Sequence, residues 1–480
     1  MTLLNKITIA IIAIAAVLLT VNNVSILPMY KTIFLIIGFI IFAIFAFAMF
    51  LGELETTRKE FITIASAAVL IILPLFISSN MVNADSKSNL LHITDVNVST
   101  LVFQDQRAMT RYMASKISEK VIGVKLNGIQ ISSQYELDME MASVQNVKGK
   151  LNWVIPVDYR GLFKWLKQDT APGFVMVSAT DPSAKAELIM SPMAYTGNSY
   201  FNKNIERLAF FKSGFKNVET HFEVNDDLKP YYISLVMTPT VFQSGLSSSS
   251  IIITDALSGE SEELSIEETL SKYPWIDRLV SEFQTSNKIE WFGELSQGWL
   301  NTIFGGENIN IPTSYNNQEL WFVNYNNQSW YFTGMTSNSS ADKSLVSGIL
   351  VNTKTLETLV FDMSGISDEN GATEAIFSSL GSDAIKWEPV LPQPFVINGK
   401  YYWGTSIVSQ SGIFQKVALI QGDNQSSIFV AKSYDAAIKQ VLSALDNSNV
   451  DSTETITINK AKFLEIKRRL AELNSLVSEL

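Results

Sequence analysis

The sequence predicts an α+β protein. Three N-terminal transmembrane helices are followed by repeated modules, each a helix plus a four-stranded antiparallel sheet, and by a C-terminal amphipathic helix. Long uncharged apolar stretches in the first 80 residues, a strand–turn–strand pattern that recurs four times, and a terminal heptad pattern support this fold class. The predicted units are the membrane anchor 1–80, the modules 81–195, 196–270, 271–365 and 366–446, and a linker with a helix at 447–480.

Composition excludes several classes of protein. Apolar residues make up 47% of the 480 positions and charged residues only 17%, whereas soluble proteins carry about 25% charge. There is no cysteine and there are two histidines, which excludes disulfide frameworks, thiol nucleophiles and Cys/His zinc sites. The net charge of −11 argues against a nucleic-acid partner, which would require a basic face. We therefore expect no cofactor, no bound metal and no nucleic acid.

The three apolar stretches are residues 7–21, 33–51 and 61–78. A hydrocarbon core of about 30 Å needs about 20 apolar residues in a helix, so these lengths favour membrane insertion. None of the stretches contains Asp, Glu, Lys, Arg or His. Because transport pathways usually require ionisable groups at membrane depth, the stretches are predicted to be an anchor in the lipid bilayer.

The orientation follows from lysines and arginines in the short loops. With the N-terminus in the cytoplasm, Lys6, Arg58 and Lys59 lie inside, against Lys31 and Lys87 outside. The first stretch could instead be a cleaved signal peptide, although no small-residue cleavage site follows it. Either alternative predicts a multi-pass protein of the cell membrane whose large C-terminal region is extracytoplasmic.

After residue 80, four hairpins combine polar turns with aromatic strands. Their turns lie around Gly149, Asp226-Asp227, Asn326-Asn327 and Asn398-Gly399. Asn-Gly and Asp/Asn pairs supply the positive φ values that tight hairpins need. A second hairpin follows each first one, and helices are predicted at 104–120, 201–212, 275–283, 372–380 and 434–445. One helix covering one face of a four-stranded sheet is an α+β unit.

The segments 229–232 (Lys-Pro-Tyr-Tyr), 398–402 (Asn-Gly-Lys-Tyr-Tyr) and 254–260 carry a family resemblance. They resemble PepSY and cystatin-like domains, which are small extracytoplasmic domains. The overall layout is similar to that of membrane-anchored proteins of unassigned function from Gram-positive bacteria and their large phages. The resemblance implies small extracytoplasmic domains attached to a membrane anchor. The likeness to PepSY domains also implies an alternative function, which is to modulate peptidases.

The last segment, 458–480, has the pattern of an amphipathic helix. Its apolar residues follow a heptad seam, while lysines, arginines and glutamates occupy the other face. The seam consists of Phe463, Ile466, Leu470, Leu473, Val477 and Leu480. A seam of under three heptads is marginal alone, so docking on its own domain and coiled-coil association both stay open.

Aromatic residues recur at equivalent strand positions and are the candidate binding residues. They are Trp153, Tyr231, Tyr232, Trp330, Tyr331, Tyr401, Tyr402 and Trp403. Since side chains alternate across a strand, one ring of each adjacent pair could face outward and stack on an envelope glycan or a peptide. Packing in the core is the alternative that we favour for these rings.

No pattern identifies a catalytic residue. Ser340 and Lys343 match S-x-x-K without its companion motifs, and His221 is expected at a half-exposed strand position. We therefore expect a binding or scaffolding protein without catalytic activity, and the alternative is a cell-envelope enzyme or a peptidase-modulating protein. Buried carboxylates with raised pKa values in a cleft would favour catalysis, whereas aromatics on an open sheet face would favour binding.

Overall fold

The computed structural model describes residues 76–450, apart from 102, 104–105, 124, 127–128, 242–243 and 339–343. The predicted membrane stretches, except the last three positions of the third, lie outside the described residues. The predicted helix 458–480 with its heptad residues also lies outside them. Among the helices that the structure describes, none is long and apolar enough to cross a membrane.

Eight α-helices are described. They are α1 (Asn80–Ser88), α2 (Arg111–Ile122), α3 (Leu162–Trp165), α4 (Ile205–Lys212), α5 (Ile266–Lys272), α6 (Glu282–Leu295), α7 (Glu369–Ser379) and α8 (Tyr434–Val450). The predicted helices at 104–120, 201–212, 372–380 and 434–445 correspond to α2, α4, α7 and α8 with shifted ends. The predicted helix 275–283 is wrong, because residues 275–281 are irregular and the helices α5 and α6 flank them.

The strands fall into groups that follow the chain. Those before and within the first module are β1 (His92–Asp95), β2 (Lys125–Leu126), β3 (Ile129–Gln130), β4 (Tyr135–Leu137), β5 (Ser143–Val147), β6 (Lys150–Tyr159), β7 (Ala171–Ser178) and β8 (Glu187–Met193). The second group is β9 (Asn217–Val224), β10 (Pro230–Val241), β11 (Ser244–Asp255) and β12 (Ser261–Leu264). The third is β13 (Asn310–Pro312), β14 (Trp321–Tyr325), β15 (Gln328–Ser337), β16 (Leu345–Asn352) and β17 (Glu357–Asp362). The fourth is β18 (Trp387–Ile397), β19 (Lys400–Ser409), β20 (Phe414–Gln421) and β21 (Asn424–Ala431).

Each group contains a four-stranded antiparallel meander, which confirms the predicted α+β class and its repeated sheets. The meanders are β5-β6-β7-β8, β9-β10-β11-β12, β14-β15-β16-β17 and β18-β19-β20-β21, and we name the sheets that contain them the first to fourth sheets. The first sheet gains β4 beside β6, and the third gains β13 beside β15 and β1 beside β17. Strand β1 pairs parallel with β17, so His92–Asp95 belongs to the third sheet although it falls within the range predicted for the first module.

In the first, third and fourth meanders, a two-residue turn joins the first two strands. The two turn residues have φ values of 54° and 77° at Lys148-Gly149, 52° and 57° at Asn326-Asn327, and 50° and 72° at Asn398-Gly399. Two successive positive φ values define the turn that matches the right-handed twist of paired strands. The turn residues seen in the sequence therefore fix the register of these hairpins.

A helix precedes each meander and begins at a side-chain cap. The capping oxygens of Thr110, Asn204, Ser281 and Asp368 accept hydrogen bonds from backbone N–H groups in the first turns of α2, α4, α6 and α7. These residue types satisfy the free N–H groups of a helix start. The chain therefore repeats a unit of capped helix and meander four times.

Buried apolar clusters join the four sheets. One cluster combines α2 and the first sheet with residues of the third sheet, such as Tyr331 and Ile349. A second places the third sheet, including Phe332, against Trp403 of the fourth. A third joins Phe174 of the first sheet to Phe222 of the second. Shared apolar cores therefore determine how the four sheets pack together.

Candidate functional site

An open cleft of ≈ 640 Å³ lies where elements of the first, third and fourth modules meet. Its walls come from the starts of helices α2 and α6, the start of β5, the segment 315–322, the start of β18 and the turn after β19. Ligand pockets typically enclose about 300–1,000 Å³. The cleft is thus large enough for a small molecule or for the end of a polymer chain.

The N-terminal turns of two helices line this cleft. The Thr110 hydroxyl accepts a 3.1 Å hydrogen bond from the backbone N–H of Met113, which fixes the start of α2. The Ser281 hydroxyl does the same for Gln284 at 3.1 Å in α6. Arg111 and Glu282, the first residues of the two helices, both line the cleft. Helix N-termini carry partial positive charge, so the cleft favours negative groups.

Arg107 is a largely buried residue of the cleft lining. The residue is only 6% exposed, and its Nε and Nη2 atoms have no hydrogen-bond partner among the residues that the structure describes. Burial lowers the pKa of Arg107 to about 10, although nearby Glu282 favours the charged form. The guanidinium therefore stays positive at neutral pH, and leaving such donors unpaired costs free energy.

Arg278 and Arg111 add two further positive charges to the lining. The buried Nε atom of Arg278 has no hydrogen-bond partner and lies 3.9 Å from Oε1 of Glu223. Arg111 is exposed, and its Nη2 donates to the Ala142 carbonyl at 3.4 Å. Three arginines thus approach one cleft from two different modules.

Two carboxylates, those of Glu282 and Glu388, also line the cleft. Glu282 is an exposed residue, but the cleft walls shield its carboxyl group from part of the solvent, which raises its pKa, although Arg278 and Arg107 favour its charged form. The three arginines exceed these two carboxylates by one charge. The first turns of α2 and α6 add partial positive charge, so the cleft as a whole favours an anion.

The remaining lining is largely aromatic and apolar. Trp153 and Phe322 are buried, and the Trp153 Nε1 atom donates to the Met109 carbonyl at 2.9 Å. Trp321 is also buried, and its Nε1 atom is a further donor without a partner. Apolar walls with a few polar groups are typical of ligand sites.

A polar junction lies beside the cleft, where the first three modules meet. Oε2 of Glu223 accepts from the backbone N–H of Asp277 at 2.8 Å, and Oε1 accepts from that of Arg278 at 3.2 Å. The Asp277 carboxylate accepts from the Asn146 backbone N–H and, at 3.3 Å, from the Ser329 hydroxyl. Burial raises the pKa of both carboxyls. These bonds connect the sheets and occupy the carboxylate oxygens.

His221 belongs to the same junction. Its Nε2 atom lies 3.1 Å from Oε1 of Glu223, and its side chain is 12% exposed, which is less than the half-exposed position predicted. Burial lowers the pKa of His221 well below its ordinary range, with Arg278 acting in the same direction. The imidazole is therefore neutral at physiological pH and packs as part of the junction.

The aromatic residues predicted to bind do not form one exposed row. All except Tyr231 are buried, and they are divided among separate cores. Trp153 alone among the eight lines the cleft. Tyr231 is partly exposed and packs on Trp275, with ring centroids 5.1 Å apart. These positions agree with the alternative that the rings pack in the core and do not form an exposed binding row.

The arginines of the cleft were missed because no local motif marks them. One signal was present: Arg107 stands three residues before the cap Thr110, and Arg278 stands three before the cap Ser281. Aligning the four repeats on their helix caps would have revealed this recurrence.

Comparisons of the chain with protein-family models, curated proteins and solved structures gave no match. Within the described ranges, no group of three or more His, Cys, Asp or Glu side chains is placed to hold a metal ion. The site must therefore be interpreted from its own geometry.

Proposed function

We propose that this chain is a membrane-anchored extracytoplasmic protein that binds a ligand in the cleft between its modules and does not catalyse a reaction. The observation that carries this proposal is the cleft of ≈ 640 Å³, which combines buried aromatic walls with arginines and two helix N-termini. Arginine, tryptophan and tyrosine are the side chains that most often dominate binding surfaces.

The proposed location rests on the sequence. The apolar stretches 7–21, 33–51 and 61–78 provide a multi-pass anchor, with the N-terminus in the cytoplasm and the sheet modules outside. The PepSY and cystatin-like resemblance is consistent with extracytoplasmic modules. In this setting the ligand is a component of the envelope, either a glycan or a peptide, and the lipid bilayer is the constant partner.

The polar junction supports binding over catalysis. Glu223 and Asp277 are buried carboxyls with raised pKa values, a common property of catalytic groups. However, backbone N–H groups and a hydroxyl bond to their oxygens, and neither residue lines the cleft. Their geometry is that of a structural connection between modules.

One observation favours the alternative of an envelope enzyme. Glu282 lines the cleft, and partial shielding of its carboxyl group from solvent raises its pKa, as a general acid requires. If the alternative is correct, a Glu282→Gln variant keeps its affinity for a bound fragment but loses turnover of it. If the binding proposal is correct, neither form of the protein consumes the fragment.

Oligomerisation through the predicted helix 458–480 is a separate part of the proposal. Its seam of Phe463, Ile466, Leu470, Leu473, Val477 and Leu480 provides an apolar stripe for a second copy or for another protein. A scaffold with several clefts would bind a polymeric envelope component by avidity.

The binding proposal is tested with the full chain in lipid nanodiscs. The probes are the neutral trisaccharide of N-acetylglucosamine and the tripeptide Ala-Ala-Ala, and calorimetry measures their affinity. Gln410 is exposed and lines the cleft, so Gln410→Trp places a bulky ring in it. Gln425 is an exposed glutamine outside the lining, so Gln425→Trp is the matched control.

We expect at least one probe to bind, the Gln410→Trp variant to weaken that binding by tenfold or more, and the Gln425→Trp variant to match the parent chain. Equal affinity in both variants would place the site elsewhere and overturn the assignment to the cleft. Failure of both probes to bind at millimolar concentration would overturn the glycan-or-peptide proposal.

A further inference from the structure

Arg107 and Arg278 occupy equivalent positions in two repeats of the fold. Each stands three residues before the capping residue of its helix, Thr110 in α2 and Ser281 in α6. Both line the same cleft. The cleft is therefore built from the same element of two different modules, and each module contributes one guanidinium.

Backbone hydrogen bonds hold these two elements in the same way. The N–H groups of Ala108 and Met109 both donate to the carbonyl of Ala179, at 2.9 and 3.0 Å. In the other repeat, the N–H groups of Leu279 and Val280 both donate to the carbonyl of Thr353, at 2.8 and 3.0 Å. The backbone that follows each arginine is thus tied to the end of the third strand of its own meander, which fixes each arginine at the cleft before any ligand arrives.

The donors of this pair are incompletely satisfied. Nε and Nη2 of Arg107 and Nε of Arg278 are buried without hydrogen-bond partners. Arg278 has some compensation from Glu223 at 3.9 Å. Arg107 forms no ion pair with any residue that the structure describes, although nearby Glu282 favours its charged form. A buried charge without a partner is costly unless a group of opposite charge approaches it.

Two further features of the cleft favour a negative group. The starts of α2, of 12 residues, and α6, of 14 residues, both line it, and helix N-termini attract anions. Arg111, at the first position of α2, adds an exposed guanidinium that an oxyanion can reach. Trp321 lines the cleft beside these charges and adds apolar surface to its wall.

We infer that the cleft is an oxyanion site: it binds the carboxylate or phosphate of an amphipathic ligand between Arg107, Arg111 and the first turns of α2 and α6. The apolar part of that ligand lies against Trp153, Trp321 and Phe322. This inference rests on the proposed binding function and specifies the ligand class. A carboxylate could belong to a peptide terminus or to an acidic sugar. A phosphate could belong to a phosphorylated envelope polymer. The test therefore compares a carboxylate probe with a phosphate probe.

The test compares four probes on the full chain in nanodiscs at constant ionic strength. Ala-Ala-Ala with a free carboxylate is compared with its C-terminal amide, and glycerol 3-phosphate is compared with glycerol. Binding is measured by calorimetry and by the emission of tryptophan. Charge-assisted hydrogen bonds to arginine predict that one anionic probe binds at least tenfold more tightly than its neutral counterpart.

Three variants locate the anion. Arg111→Gln, at an exposed position, is expected to weaken the anionic probe by about tenfold, and Arg107→Met to weaken it further. Arg207→Gln, at an exposed arginine in the first turn of α4 outside the lining, is the control and leaves affinity unchanged. Arg107→Met is also expected to raise the thermal midpoint of the ligand-free chain, because it replaces an unpaired buried charge with an apolar side chain.

The outcomes separate this inference from the proposal on which it rests. If the neutral probes bind as tightly as the anionic ones and Gln410→Trp still blocks them, the cleft is a ligand site but not an oxyanion site. The inference fails if both Arg111→Gln and Arg107→Met bind the anionic probe with the affinity of the parent chain. A lowered thermal midpoint of Arg107→Met would then show that this arginine has a structural role. If Gln410→Trp has no effect on any probe, both conclusions fail.

Discussion

The backbone N–H of Asp277 donates a 2.8 Å hydrogen bond to the buried carboxylate of Glu223, which lies 54 residues earlier in the chain. Asp277 in turn accepts bonds from Asn146 of β5 and Ser329 of β15. Asp277, five residues before the start of α6, thus connects the first, second and third sheets. Two of these sheets, the first and the third, belong to modules that line the cleft, so the junction holds part of its wall in place.

Replacing Asp277 should separate the effect of its charge from that of its hydrogen bonds. We expect Asp277→Asn to be at least as stable as the parent chain at pH 8, because the amide oxygen can accept from Asn146 while the buried charge next to Glu223 is removed. Asp277→Ala should lose about 2 kcal/mol, because buried donors lose their acceptor. Urea unfolding at pH 8 measures both, and equal destabilisation by the two substitutions would contradict this role.

Glu369 should make stability depend on pH. It is fully buried at the start of α7, accepts a 2.9 Å bond from the Thr313 hydroxyl, and burial raises its pKa from 4.5 to about 7. The folded chain therefore binds a proton that the unfolded chain releases between pH 4.5 and pH 7. Its contribution to the free energy of unfolding is fully present below pH 4.5 and is lost as pH rises through 7.

The variant Glu369→Gln should remove this dependence. Between pH 5 and pH 8 the parent chain should lose about 2 kcal/mol more stability than the variant does. Comparing the two chains under identical conditions cancels the contributions of Asp158, Glu223, Asp277 and His221, which are present in both. Parallel pH profiles of unfolding for the two chains would show that Glu369 titrates alike in the folded and unfolded states.

Two buried tryptophans form a matched pair that differs in hydrogen bonding. The Nε1 atom of Trp403 donates to the Ser367 carbonyl at 2.8 Å, whereas that of Trp330 has no hydrogen-bond partner within the described part of the chain. The two residues are 0% and 3% exposed, so replacement by phenylalanine removes similar volumes from the core. We expect Trp403→Phe to cost about 1–2 kcal/mol more than Trp330→Phe in chemical denaturation. A larger cost for Trp330→Phe would contradict this assignment.

The proposed association through residues 458–480 is tested by light scattering of the full chain in detergent. We expect an oligomer that becomes a monomer when these residues are removed, because the heptad seam supplies the apolar contact. Leu470→Ser on the seam should have the same effect, and Lys467→Ser, on the charged face, should not. A monomeric parent chain would exclude this mode of assembly.

Local patterns in the sequence determined much of the fold. Asn326-Asn327 and Asn398-Gly399 specified the turns of two hairpins, since few residue types adopt successive positive φ values. Local patterns also predicted helices that overlap α2, α4, α7 and α8, with ends that differ by up to seven residues. The predicted helix 275–283 is wrong over 275–281, where Ile276 and Leu279 have helical spacing but lie in an irregular segment that packs on the second sheet.

The cleft and the polar junction were decided by tertiary structure. Arg107 and Arg278 are distant in sequence, and they line one cleft only because shared apolar cores pack the first and third modules together. The same packing buried Trp153, Trp330 and Trp403, whose recurrence in the strands was visible beforehand but whose exposure was not. Helix caps and the φ preferences of turn residues act between neighbours in the chain, so the sequence determined the repeated units. Burial and charge depend on which surfaces meet, so only the tertiary structure could place the candidate site.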